Sequence, residues 1–118
     1  MNKNILKERL KNYALRIIKL VEMLPKTTTG RAIGNQLIRS GTSVAANYRA
    51  ALRGRSKAEF ISKLGIVIEE GDESAFWLEL IIESSLLNKE LVDPILKETN
   101  EITAIMVATR KTAQTNKS

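Results

Sequence analysis

The sequence predicts an all-α protein, an antiparallel up-down four-helix bundle built as a single domain over residues 1–118. Three observations carry that expectation. Apolar residues recur at three- and four-residue steps through four successive segments, the spacing that gathers them on one helical face. The chain has only two prolines, and most of its six glycines lie inside otherwise helical runs, which argues against a sheet-rich fold with many turns. Hydrophobic residues make up 43% of the chain and aromatics 4%, so Leu, Ile, Ala and Val must fill the interior, as they do between packed helices. The chain is long enough to bury a core without disulfides or a structural metal.

The first helix is expected at residues 4–24, with Leu6, Leu10, Tyr13, Ala14, Ile17, Val21 and Leu24 as its stripe. Pro25 ends it, because proline has no amide to donate and disfavours a helical residue before it. In the turn that follows, Thr28 or Thr29 can cap a second helix at residues 30–52. Its stripe is Ile33, Leu37, Gly41, Val44, Ala45, Tyr48 and Leu52. Gly41-Thr42-Ser43 is a weak helical stretch where a kink is expected.

Arg53-Gly54-Arg55-Ser56 breaks the pattern, and Ser56 with Glu59 has capping-box spacing. A third helix is therefore expected at residues 57–87, with Phe60, Leu64, Val67, Ile68, Gly71, Ser74, Ala75, Leu78, Ile81, Ile82 and Ser85 inward and Asn88 as its end. Asp93-Pro94 reads as a cap followed by proline at the first helical position, opening a fourth helix at residues 94–110. Its stripe is Ile95, Leu96, Thr99, Ile102, Ile105, Met106 and Thr109; residues 111–118 are expected as a polar, frayed tail.

Cysteine and histidine are both absent. That excludes Cys/His zinc sites, histidine-ligated haem, thiol nucleophiles and Ser-His-Asp or Cys-His arrangements. Glu69, Glu70 and Asp72 could serve as acids or bases, but no orienting partner or nucleophile stands near them in sequence, so no enzyme and no cofactor is expected. No apolar stretch reaches membrane-spanning length and the basic start lacks a signal-peptide pattern, so the expected location is cytoplasmic.

Charge is polarised along the chain. The net charge is +6, with 14 Lys/Arg and 3 Asp/Glu in residues 1–63, against 5 and 10 in residues 64–118. Such a chain can offer a basic surface to nucleic acid or an acidic partner, or bind itself. Projected at about 100° per residue, Arg31, Arg39, Arg49 and Arg53 gather on the side of the second helix opposite its core stripe, and Arg55, Lys57 and Lys63 continue the basic region. Guanidinium binds phosphate or carboxylate through two donors at once, so these seven are the candidate nucleic-acid contacts; the alternative is a solvated face.

On the third helix Glu69, Asp72, Glu73, Glu79 and Glu83 face away from the core without the Glu-x-x-His motifs of bundle di-iron sites, so no metal is expected. Ile66, Phe76, Trp77 and Leu80 lie beside them, off the core stripe. Two bulky aromatics there point to a subunit interface with acidic flanks at Glu73 and Glu83, complementary to a neighbour's basic stripe. An asymmetric bundle that buries one of them is the alternative.

The run QLIRSGTSVAANY from Gln36 to Tyr48, RSKAEFISKLGIVIEEGDES from Arg55 to Ser74 and FWLEL from Phe76 to Leu80 together resemble the bacterial four helix bundle protein family. Its founding members are encoded by intervening sequences within large-subunit ribosomal RNA genes. Members often carry an acidic residue where this chain has Ala50. The resemblance implies an antiparallel four-helix bundle and, as in some members, a homopentameric ring with a basic surface. A more distant relative is the accessory protein of diversity-generating retroelements, which binds a reverse transcriptase and nucleic acid.

Two functions follow as expectations. The first is a non-enzymatic homo-oligomer that binds RNA or DNA, or acts as a nucleic-acid-associated adaptor, through sequence-independent, salt-dependent phosphate contacts. The alternative is a protein-interaction scaffold whose basic stripe is used in ring assembly.

Overall fold

The computed structural model describes residues 2–116, in which four helices follow one another: α1 (Lys3–Glu22), α2 (Thr28–Leu52), α3 (Lys57–Glu83) and α4 (Lys89–Thr115). They pack as α1 on α2, α2 on α3 and α3 on α4; α1 and α4 close the bundle along its sparsest seam. The result is a rod of 51 × 21 × 20 Å. The periodic Leu and Ile of each stripe meet along its axis, with Leu10, Ile17, Leu37, Leu64, Leu78, Ile81, Ile102 and Met106 fully enclosed.

Caps explain most of the boundaries. Thr27, rather than Thr28 or Thr29, caps α2 by accepting from the Gly30 amide at 3.1 Å, so the helix starts two residues before its expected position. Ser56 accepts from the Glu59 amide at 3.1 Å, and Glu59 reaches back to the Arg55 amide at 2.9 Å, one residue beyond the reciprocal bond of a capping box. α2 runs as one helix through Gly41-Thr42-Ser43, where the Thr42 hydroxyl donates to the Ile38 carbonyl at 2.6 Å.

Beyond the start of α2, four expected boundaries are corrected; the first is the end of α1, which stops at Glu22 rather than Leu24. α3 stops at Glu83, not Leu87, because Ser85 turns into the left-handed region (φ 60°) and the Ser85 and Leu86 amides donate back to the carbonyls of Ile82 and Ile81. This is the hydrogen-bond pair of a Schellman stop, with serine where glycine is usual. Ser85, expected inward, is therefore exposed, and Leu86 packs on the core instead. α4 begins at Lys89, so Pro94 lies inside it rather than at its start. A proline there deprives the Glu90 carbonyl of its helical donor, and Glu90 is exposed, so water can replace it. Val92, absent from the expected stripe, is fully buried by this extra turn. At the other end α4 continues to Thr115 instead of fraying at Lys111; Lys117 and Ser118 of the expected tail lie outside the described residues.

Small residues govern how closely the helices approach. A side chain at Gly41 would collide with Ile17 of α1, and one at Gly71 with Thr103 of α4. Across the middle of the bundle each helix contributes one buried hydroxyl: Tyr13, Ser40, Ser74 and Thr99. Ser40 and Ser74 are hydrogen-bonded at 2.9 Å. Thr99 donates to the Ile95 carbonyl, leaving its oxygen to accept from the Tyr13 phenol at 2.7 Å. Burial pushes that phenol up to about 12, so it stays protonated and donates. No buried side-chain nitrogen or oxygen among the described residues lacks a partner.

Candidate nucleic-acid interface

α2 and the turn after it carry most of the expected basic site. Arg31, Arg49, Arg53, Arg55 and Lys57 are exposed and Lys63 is half-buried. None of the six makes an ion pair among the described residues. Arg39 differs. It reaches across the seam to α3, where its Nη1 donates to Glu70 at 2.8 Å and its Nη2 to Glu73. The guanidinium is held by two carboxylates of its own chain, so its charge is spent within the fold.

Glu73 also accepts from the Trp77 indole at 3.2 Å. That bond, then Arg39, hold the Glu73 carboxyl below its ordinary range. Trp77 is half-buried against the core cluster, whereas Phe76, in edge contact with it at 5.0 Å between ring centres, is 50% exposed. The bundle thus shelters one of the two off-stripe aromatics and leaves the other in solvent. Ile66 and Leu80 are half-buried and Glu83 is exposed.

The fold adds cations that the α2 projection missed. Lys7 and Lys11 of α1 face Arg49 of α2 across a half-open groove of about 450 Å³, in which Ala45, Ala46, Thr42 and Glu8 are also lining residues. In sequence, Lys7 and Lys11 are only two charges off the first stripe. Which neighbour lies on that flank follows from the handedness of the bundle, which periodicity does not carry. Arg9, on the opposite flank, is consumed like Arg39: it donates to Glu98 at 2.7 and 3.0 Å and to Glu101 at 2.8 Å.

Among the described residues no group of three or more carboxylates could hold a metal ion, and no helix is long and apolar enough to cross a membrane. The α1–α2 groove presents unpaired cations around the small side chains of Ala45, Ala46 and Thr42.

Comparison with known proteins gives a consistent picture. The family model described as 23S rRNA-intervening sequence protein matches residues 2–108. Among solved structures, the chain is similar to the crystal structure of a protein of unknown function from the S23 ribosomal protein family of Bacteroides thetaiotaomicron VPI-5482. The two share 33% identity and superpose with a TM-score of 0.87, covering 94% of this chain and 99% of that one. No curated protein matches the chain.

Proposed function

Starting from the fact that this chain belongs to the 23S rRNA-intervening sequence protein family, we propose that it is a non-enzymatic, oligomeric protein that binds nucleic acid through its basic surface. One observation carries the reading: Arg31, Arg49, Arg53 and Arg55 are exposed and lack acidic partners among the described residues, while the chain does neutralise Arg9 and Arg39 where they cross a seam. Exposed guanidinium groups bind phosphate oxygens through paired donors and release counterions, which makes affinity fall with salt. The scarcity of aromatics argues against base stacking as the main contact. The test is binding of fluorescent RNA and DNA, duplex and single-stranded, across a salt series, with mass by light scattering in the same buffers. Affinity that falls steeply with salt, and that is lost when the exposed arginines become Glu while mass is unchanged, supports it. No binding at low salt sinks it.

The second reading is a scaffold assembled from copies of this chain, and Phe76 favours it. A phenyl ring 50% exposed beside a half-buried indole is the kind of anchor that interfaces enclose, and Glu79 and Glu83 are exposed along the same helix to meet a neighbour's cations. Phe76→Asp lowers the oligomer mass without loss of helicity on this reading. Trp77→Asp is the poorer probe, because it also disturbs Trp77's own packing.

A further inference from the structure

The antiparallel fold sorts charge by level along the rod. One end is built from the start of α1, the end of α2, the turn into α3 and the end of α4: residues 2–11, 46–66 and 106–116. It carries eleven Lys/Arg and two Asp/Glu; Arg9 is paired with Glu98 and Glu101 of α4, which leaves ten cations without an ion pair among the described residues. The opposite end, residues 17–33 and 80–95, carries four of each. Nothing in the linear order shows this, because the contributing segments lie far apart in sequence.

The basic end also has a shape. Its concave part is the α1–α2 groove, with Lys7 and Lys11 one helical turn apart on one wall and Arg49 on the other. Ala45 and Ala46 keep the groove clear of bulky side chains, and the Thr42 hydroxyl, which spends its proton on the Ile38 carbonyl, lines it as well. Glu8 is the carboxylate among the lining residues, and it makes no ion pair there. Arg53 and Arg55 stand at the α2–α3 turn of the same end, whereas Arg110 lies beside Gly65 on the α3–α4 side.

Resting on the nucleic-acid reading above, we infer that the phosphate backbone docks on this end of the bundle, centred on the Lys7–Lys11–Arg49 groove, and not along the length of α2. The magnitudes agree. The bundle is 21 × 20 Å in cross-section. Duplex DNA carries one charge per ~1.7 Å of axis, so such a face covers on the order of ten phosphates. Ten unpaired cations are of that order. Lys7 and Lys11, one helical turn apart, lie within about one Debye length of each other at physiological salt, so they act together. Arg31, at the balanced end, and Arg39, neutralised in its seam, are left outside the contact.

The experiment compares three exposed sets in the same binding and light-scattering assay: Lys7→Glu/Lys11→Glu/Arg49→Glu, the milder Lys7→Gln/Lys11→Gln/Arg49→Gln, and Arg31→Glu. Circular dichroism verifies that each is folded. The groove reversal is expected to weaken binding at least about tenfold and to lower the salt slope by about three, roughly one per phosphate contact. The Gln set lies between it and the parent, and Arg31→Glu stays within about twofold of the parent by the same reasoning. A groove set that binds like the parent, or an Arg31→Glu loss as large as the groove set's, overturns the inference while leaving nucleic-acid binding standing. A parent chain that binds none of the four probes overturns both.

Discussion

Two seams of the bundle use the same parts at different spacings. Between α2 and α3, Arg39 bridges Glu70 and Glu73, and beside it Ser40 meets Ser74. Between α1 and α4, Arg9 bridges Glu98 and Glu101, and beside it Tyr13 meets Thr99. The first seam is closely packed and closed by two small hydroxyls; the second is the sparsest in the bundle and needs a tyrosine to span it. The exposure of the two arginines is reversed: Arg39 has a side chain 49% exposed over the close seam, and Arg9 one 23% exposed over the wide seam. The lesson is that an identical linkage has a different worth in each place. In the close seam the helices pack on each other and the ion pair is trim. In the wide seam the tyrosine and the ion pair supply much of what joins α1 to α4.

That contrast can be broken from its strongest side first. Tyr13→Ala empties the centre of the wide seam and is expected to cost about 3–5 kcal/mol, as for other buried aromatic truncations; a denaturant midpoint close to that of the parent would contradict it. Ser74→Val tests the close seam. It adds a methyl group where two hydroxyls touch and removes the partner of buried Ser40, for an expected loss of about 2–4 kcal/mol. Ser74→Ala, which removes the hydroxyl without adding bulk, should cost clearly less in the same measurement.

Arg9→Gln comes next, at about 1 kcal/mol after allowance for solvent screening of a partly exposed pair. Its effect depends on pH in a defined sense. Hydrogen bonding to Arg9, opposed by burial, holds the Glu98 carboxyl below its ordinary 4.5. A carboxyl lowered in the folded state contributes stability that is present above the unfolded value and is lost as pH falls through the folded one. The gap in melting temperature between parent and Arg9→Gln should therefore be full at neutral pH and close as the solution is acidified below about 4.5. A gap that stays constant through the acid range would show that the pair is not its source. Arg39→Gln is the smallest change: its guanidinium is solvated, and its melting temperature should be indistinguishable from the parent's. A loss as large as that of Arg9→Gln would erase the distinction between the seams.

How far the sequence was legible differs between core and surface. The stripe of α1 was largely readable: Leu6, Leu10, Tyr13 and Ile17 are buried where three- and four-residue spacing puts them, and Leu20, which the expected stripe left out, is buried with them. The start of α4 was not. Asp93-Pro94 is a strong local signal for a helix start, and Val92 burying itself on the other helices outweighed it. The end of α3 carried no glycine to announce its left-handed residue; Ser85 adopts that conformation because Leu86 gains a place on the core. The site was half legible. Arg31, Arg49 and Arg53 are exposed as their projection requires, but projection cannot tell a solvated arginine from one that finds two carboxylates on the next helix, as Arg39 does.

The sequence by itself determined the four helices, the inward face of each and the sign of the chain's charge, because these depend on spacing within one segment and on composition. Only the tertiary structure decided which flank of α1 meets α2, which arginines are neutralised and which end of the rod collects the cations. Those outcomes depend on how far helices approach and which termini are brought level, distances set by Gly41, Gly71 and the hydroxyl layer acting between segments remote in sequence.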